Sequence, residues 1–138
     1  MIFKRKNISS LHLPHNKNTA ECTPVRINAP KEVLLPMDMH SGHVAEPIVA
    51  VGDYVKVGQL IAREEGRFSS PVHATVSGKV VAIEPISRPS GKEVLAIRIE
   101  NDGLMTVDSS GKAPVYTKPD EFLQAVRGSG CVGLGGAA

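Results

Sequence analysis

The sequence predicts a mainly β fold: a small folded-over β-sandwich, with an irregular N-terminal segment and a short C-terminal helix. Three observations carry that expectation. Across residues 49–83, short apolar runs are punctuated at Gly52-Asp53, Gly58-Gln59 and Ser77-Gly78. Across residues 93–100, EVLAIRIE alternates cleanly, with Leu95, Ile97 and Ile99 on one face and Arg98 and Glu100 on the other. A helical start and an apolar side coincide only late, between Thr117 and Gly128.

Taken in order, residues 1–28 are polar and irregular, with Pro14 and Pro24 preventing long regular elements. Lys4-Arg5-Lys6 reads as a solvated tail, and Ile8-Ser9-Ser10-Leu11-His12 breaks any apolar run that a signal peptide would need. No apolar stretch approaches the ~20 residues of a spanning helix, so a soluble, cytoplasmic chain is expected. Residues 29–36, APKEVLLP, read as a proline-bounded edge or entry strand, followed by a turn-rich segment around Gly42. In Tyr54-Val55-Lys56-Val57 the two valines share a face; in Lys79-Val80-Val81-Ala82-Ile83, Val81 and Ile83 do. The prolines and glycine of residues 84–91 stop the sheet, and Asn101-Asp102-Gly103 turns the chain after the next strand. A further strand is expected at Met105-Thr106-Val107. Thr117-Lys118-Pro119-Asp120 opens the helix, Phe122, Leu123 and Val126 give it one apolar side, and about two turns of helix must be held by packing.

Composition narrows the chemistry. With 138 residues the chain is one domain plus an appendage, divided as 1–28, 29–103 and 104–138. There is no Trp and aromatics make up 4%, so aliphatic side chains build the core. Sixteen basic against 14 acidic residues, a net charge of +2, speak against nucleic acid as a partner. Cys22 and Cys131 form no C-x-x-C and read as unpaired thiols, too few for a zinc ribbon or an iron-sulfur ligand set. His40 and His43 lack a carboxylate or cysteine partner at metal-ligand spacing and read as turn residues; His73 reads as a strand or loop residue. No triad or dyad spacing emerges, and no catalytic residue is assigned.

The pattern V-x-V-G-D-x-V-x-x-G-Q-x-[IL], a hairpin, and then A-x-V-S-G-x-V is similar to the barrel-sandwich hybrid of biotinyl and lipoyl carrier domains. In those carriers a tip lysine is acylated. Here the tip reads Gly66-Arg67-Phe68, and a guanidinium at the lysine position accepts no acyl group. The resemblance therefore implies the carrier fold without the carrier chemistry.

A more specific resemblance covers residues 29–138, with a weaker part at residues 11–19. LHLPHNKNT is similar, through His12, Pro14, Lys17 and Thr19, to the H-P-P-x-x-K-x-x-T stretch of the C subunit of the Rnf/Rsx electron-transport complex, although Ser9-Ser10 replaces the usual paired glycines. His40 and Gly42, then VSGKVVAIEPISRPSGKEVLAIRIENDG, and then a short helix before G-x-V-G-x-G-G-A continue the pattern. That family implies a peripheral subunit on the cytoplasmic face of the bacterial inner membrane, passing electrons between NADH and ferredoxin with coupled ion translocation. In full it carries FMN, an NADH site and two 4Fe-4S clusters, and it assembles with the other subunits of the complex.

By residue pattern alone the glycine-rich end is a flexible linker, because its spacing fits neither a dinucleotide fingerprint nor a P-loop. The resemblance assigns Gly133, Gly135 and Gly136 to the start of a flavin- and NADH-binding loop, whose backbone N–H groups approach a phosphate closely for want of Cβ atoms. The chain is thus expected to be the front part of a longer protein, non-catalytic and without a cofactor of its own, its sandwich a scaffold and docking surface; Arg67-Phe68 reads either as a solvated hairpin tip or as a contact there. Two other readings stay open: a non-acylated adaptor module for protein contacts, and the A subunit of the sodium-translocating NADH:quinone reductase. The latter matches the Glu84-Pro85 and Ser90-Gly91 loop and the glycine-rich end less well.

Overall fold

The computed structural model describes residues 18–66, 68–111 and 113–133. Lys4-Arg5-Lys6, His12, Pro14, Lys17, Arg67, Gly135 and Gly136 lie outside them. The elements run β1 (Glu32–Pro36), β2 (Glu46–Pro47), β3 (Tyr54–Val55), β4 (Leu60–Arg63), β5 (Val72–His73), β6 (Gly78–Ser87), β7 (Glu93–Asn101) and α1 (Pro119–Gly128). Two antiparallel sheets result, one ordered β1-β7-β6-β3 and the other β2-β4-β5. They share one aliphatic core that draws Leu35, Val55, Val80, Ile97 and Ile99 from the first sheet and Ile61, Ala62 and Val72 from the second. The mainly β barrel-sandwich hybrid expected from the sequence is the observed fold.

The long β6–β7 hairpin positions everything else. Val80 stands opposite Ile99 and Ile83 opposite Ile97, so residues three apart on β6 face residues two apart on β7. The register shift between Val80 and Ala82 is a β-bulge, and it corrects the expected pairing of Val81 with Ile83. Val80 is fully buried instead, while Val81 stays at intermediate exposure. A comparable irregularity between Leu60 and Ala62 in β4 lets the consecutive Ile61 and Ala62 both reach the core. At the start of β6, Gly78 has φ +152, and a Cβ there would lie 1.8 Å from the Glu100 carbonyl oxygen. Only glycine admits that approach.

Two further expectations are corrected by the sheet. β6 does not stop at Glu84 but pairs through Ser87, and the loop shrinks to the turn closed by Gly91 N–H donating to Arg88 O (2.8 Å). Pro85 is tolerated because its partner Leu95 directs its backbone toward β1, where Leu95 O accepts from Met37 N–H at 2.9 Å. The missing proline N–H thus points away from β7, beyond the two residues that β3 covers. Leu95 keeps the face of Ile97 yet is 37% exposed, whereas Val94 and Ala96 on the reverse face are buried. The second sheet, with strands of two to four residues, is too short to cover a hairpin of nine and ten.

The expected strand at Met105-Thr106-Val107 is a single parallel bridge between Val57 and Val107. Met105 takes φ +52, and Thr106 N–H donates to Ser77 Oγ (2.9 Å), so the segment cannot stay extended. Helix α1 forms where expected, with Pro119 in its first turn. The acidic cap is one residue later than the sequence spacing suggests: Glu121, not Asp120, accepts the Thr117 and Lys118 N–H groups at 2.9 and 3.2 Å.

Ile97→Ala should lower stability by about 2–5 kcal/mol, and Leu95→Ala by less than about 1 kcal/mol, in urea unfolding. Equal losses would contradict the placement of the two side chains.

Candidate docking face

The β4–β5 hairpin is where a carrier domain of this fold presents its lysine. No lysine occurs between Leu60 and Gly78 in this chain. Lys79 is paired within the sheet opposite Tyr54, and Lys56 lies in the turn after β3, where its N–H donates to Gln59 Oε1 (3.0 Å).

The hairpin tip is gripped from two sides. On one side the Met37–Val44 turn region reaches it: His43 N–H donates to Phe68 O (2.7 Å), and Ser69 Oγ–H donates to His43 O (3.0 Å). Gly42 has φ +110, and a Cβ there would come within 2.2 Å of Phe68 O, so the turn needs glycine to approach the tip. His40 Nε2 lies 2.9 Å from His43 O and 3.1 Å from Ser70 N, which commits that ring to the turn. On the other side α1 returns to the same hairpin. Arg127 Nη2 donates to Gly66 O (2.7 Å), and Arg127 Nε lies 3.2 Å from the Glu64 carboxylate. Three residues on, Gly130 has φ +71 and sits so close that a Cβ would be 2.7 Å from Pro71 O and 3.0 Å from His73 Nδ1. Phe68 remains 69% exposed at the tip, as the sequence suggested, and its neighbour Arg67 is outside the described residues.

A second feature is a shallow open cleft of about 310 Å³ at the far end of the first sheet, lined by Tyr54, Lys79, Glu100 and Asp102. Asp102 Oδ2 accepts from Tyr54 Oη–H (2.6 Å), while Oδ1 accepts from Ser77 Oγ–H (2.7 Å) and Leu104 N–H (2.8 Å). These bonds, the tyrosine's first, hold the Asp102 carboxyl below the ordinary carboxylate range. They join three segments that are distant in sequence, so the carboxylate works as a fastening. The Ser77-Gly78 and Asn101-Asp102-Gly103 signals, read from sequence as separate turns, are brought together here.

Of the flavin-loop glycines, Gly133 is exposed just beyond the Gly130 seat, and Gly135 and Gly136 fall outside the described residues. Cys22 and Cys131 are both exposed and free. Among the described residues no group of three or more His, Cys, Asp and Glu is placed to hold a metal ion. No helix among them is long and apolar enough to cross a membrane. Sequence reasoning missed the Arg127–Glu64 contact; its one legible signal was a basic residue in the last turn of the helix, available to any acidic neighbour.

The family profile described as the RnfC barrel sandwich hybrid domain matches residues 8–104. The chain is similar, at 41% identity over 92% of its length, to the C subunit of the Na⁺-translocating ferredoxin:NAD⁺ oxidoreductase complex of Acetobacterium woodii, of which it spans 30%. It is 38% identical, over 89% of its length, to the C subunit of the ion-translocating oxidoreductase complex of Rhodobacter capsulatus, spanning 24% of that protein. With the corresponding protein of Pseudomonas aeruginosa it shares 38% identity over 92% of its length and 17% of the relative's. The chain thus spans less than a third of these curated relatives.

The depressed Asp102 pKa fixes the sign of a pH dependence. The folded value is below the unfolded one of about 3.9, so the stabilisation is complete above that value and is lost as pH falls through it toward the folded pKa. In urea unfolding, Asp102→Asn should therefore be less stable than the wild type at neutral pH, and the gap should narrow below about pH 4. A gap constant with pH would contradict a role for the carboxylate charge.

Proposed function

The chain belongs to the RnfC barrel sandwich hybrid domain family, and from that membership we propose that it is the N-terminal scaffold of the C subunit of an ion-translocating electron-transport complex. In this reading the whole subunit passes electrons between NADH and ferredoxin, with ion translocation in its partner subunits. The subunit sits peripherally at the cytoplasmic face of the bacterial inner membrane. The observation that carries the proposal is the hairpin: a carrier-type sandwich whose tip has no lysine and is gripped by a turn on one side and a helix on the other. A swinging arm needs a free tip with an amine; a mounting block needs a fixed one.

The redox centres belong to the remainder of such a subunit. A four-iron cluster takes about four thiolate ligands, and this chain contributes two cysteines in total. Gly133 stands exposed after the Gly130 seat, where its N–H can be offered to a phosphate; with Gly135 and Gly136 it would form the first edge of a flavin- and nucleotide-binding loop. FMN bound beyond it would supply the step between hydride transfer and single-electron transfer. What these residues themselves do is set the position and direction in which that loop leaves the sandwich.

Two measurements test the proposal. The full-length subunit, purified with FMN and titrated anaerobically with NADH, should show bleaching of the flavin absorbance; a folded subunit that retains no flavin would remove the redox reading. Co-expressed with biotin and lipoate ligases, this chain should show no acyl adduct in intact-mass analysis. An adduct would return it to the carrier class.

A further inference from the structure

Helix α1 presents an unusual combination of features. It has ten residues and no buried side chain. A helix this short does not persist by propensity, and its contacts with the sandwich are concentrated at one end, where Arg127 and Gly130 meet the hairpin. Meanwhile Pro119, Phe122, Leu123 and Val126 fall within an arc of roughly 100°. Phe122 is 44% and Leu123 62% exposed, and Tyr116 extends the apolar strip by meeting the Phe122 ring edge-on, with centroids 4.9 Å apart.

We propose that this apolar flank is the seat of the polypeptide that follows α1 in full-length C subunits, and that the Arg127–Glu64–Gly66 latch and the Gly130 seat fix its position on the sandwich. The proposal rests on the family membership above but needs no flavin or NADH chemistry. Its choice of occupant comes from chain lengths. A match over 92% of this chain cannot leave α1 out, yet it covers the N-terminal part of the relatives and at most 30% of their length. The relatives therefore continue well past the helix, and a domain tethered directly to it is present at a high effective concentration that a diffusing partner lacks. The two ends of α1 then have separate tasks. The glycine at 130 lets the backbone press against Pro71 and His73, where any side chain would collide, and so sets the direction in which the chain leaves. The flank at 119–126 faces outward to receive what comes next.

Hydrogen exchange followed by mass spectrometry on the full-length subunit carrying this sequence tests the idea. In the wild type, amides of Pro119–Gly128 should exchange slowly, comparably to those of β7. Leu123→Glu with Val126→Glu should accelerate the helix amides by at least about tenfold while leaving β6 and β7 unchanged, which shows in the same experiment that the sandwich is intact. Arg127→Glu should loosen both the helix and the hairpin, and Arg127→Glu with Glu64→Arg should restore them. Fast exchange of the wild-type helix, or no effect of the two glutamates, would overturn the proposal. So would protection that rises with protein concentration, which would make a second copy the occupant. Flavin reduction by NADH, read on the same preparation, separates failure of this inference from failure of the redox reading.

Discussion

No side chain fits between residue 78 and the carbonyl of Glu100. That constraint organises the first sheet, because Gly78 is where β6 begins and crosses against the end of β7. With the backbones this close, Ser77 Oγ reaches Asp102, Asp102 reaches Tyr54 on β3, and Thr106 N–H reaches Ser77. Three segments, at Tyr54, Ser77 and residues 102–106, are joined around one buried serine side chain and one exposed carboxylate. The β-bulge one turn of the pleat further on then swings Val80 and Ile83 onto Ile99 and Ile97, and the core closes over them.

At the opposite end of the sandwich the same kind of close approach has a different outcome. Gly42 and Gly130 each bring a backbone against the β4–β5 hairpin, one from the turn before β2 and one from beyond α1. Between them the hairpin becomes a fixed edge. The ion pairs elsewhere are secondary: Arg98 bridges Glu84 and Glu32 across three strands, but all three side chains are a third to a half exposed. Open to solvent, such pairs are screened and contribute little to stability. The Arg127–Glu64 pair is exposed in the same way; what distinguishes it is that, with the bond from Arg127 to Gly66 O, it joins α1 to the hairpin.

The parts of this fold legible in the sequence were those written in period and punctuation. The alternation of EVLAIRIE located β7, the prolines around EVLL located β1, and the Thr-Lys-Pro opening with Phe122, Leu123 and Val126 located α1. What escaped was anything set by a partner strand. Val81 was placed on the face of Ile83, in place of Val80, because a bulge is a property of two strands in register, not of one. Pro85 looked like a stop because its harmlessness depends on which side of β6 lacks a neighbour. Leu95 looked buried because strand alternation says which face a residue takes, and not whether the second sheet extends that far. The hairpin tip was legible in its missing lysine and in the exposed Phe68; the latch joins residues 64 and 127, and nothing in their local sequence pairs them.

A carrier-type sandwich whose hairpin has no lysine at its tip and is bonded from both sides is suited to mounting rather than to carrying. The measurement closest to that claim is backbone ¹⁵N relaxation across residues 60–75 of the chain in solution, together with a nuclear Overhauser contact between the Gly130 α-protons and the His73 ring. The account predicts order parameters near the rigid-backbone value of about 0.85 through the hairpin and a visible contact between Gly130 and His73. Order parameters below about 0.6 at the tip, with no such contact, would describe a free arm and contradict it.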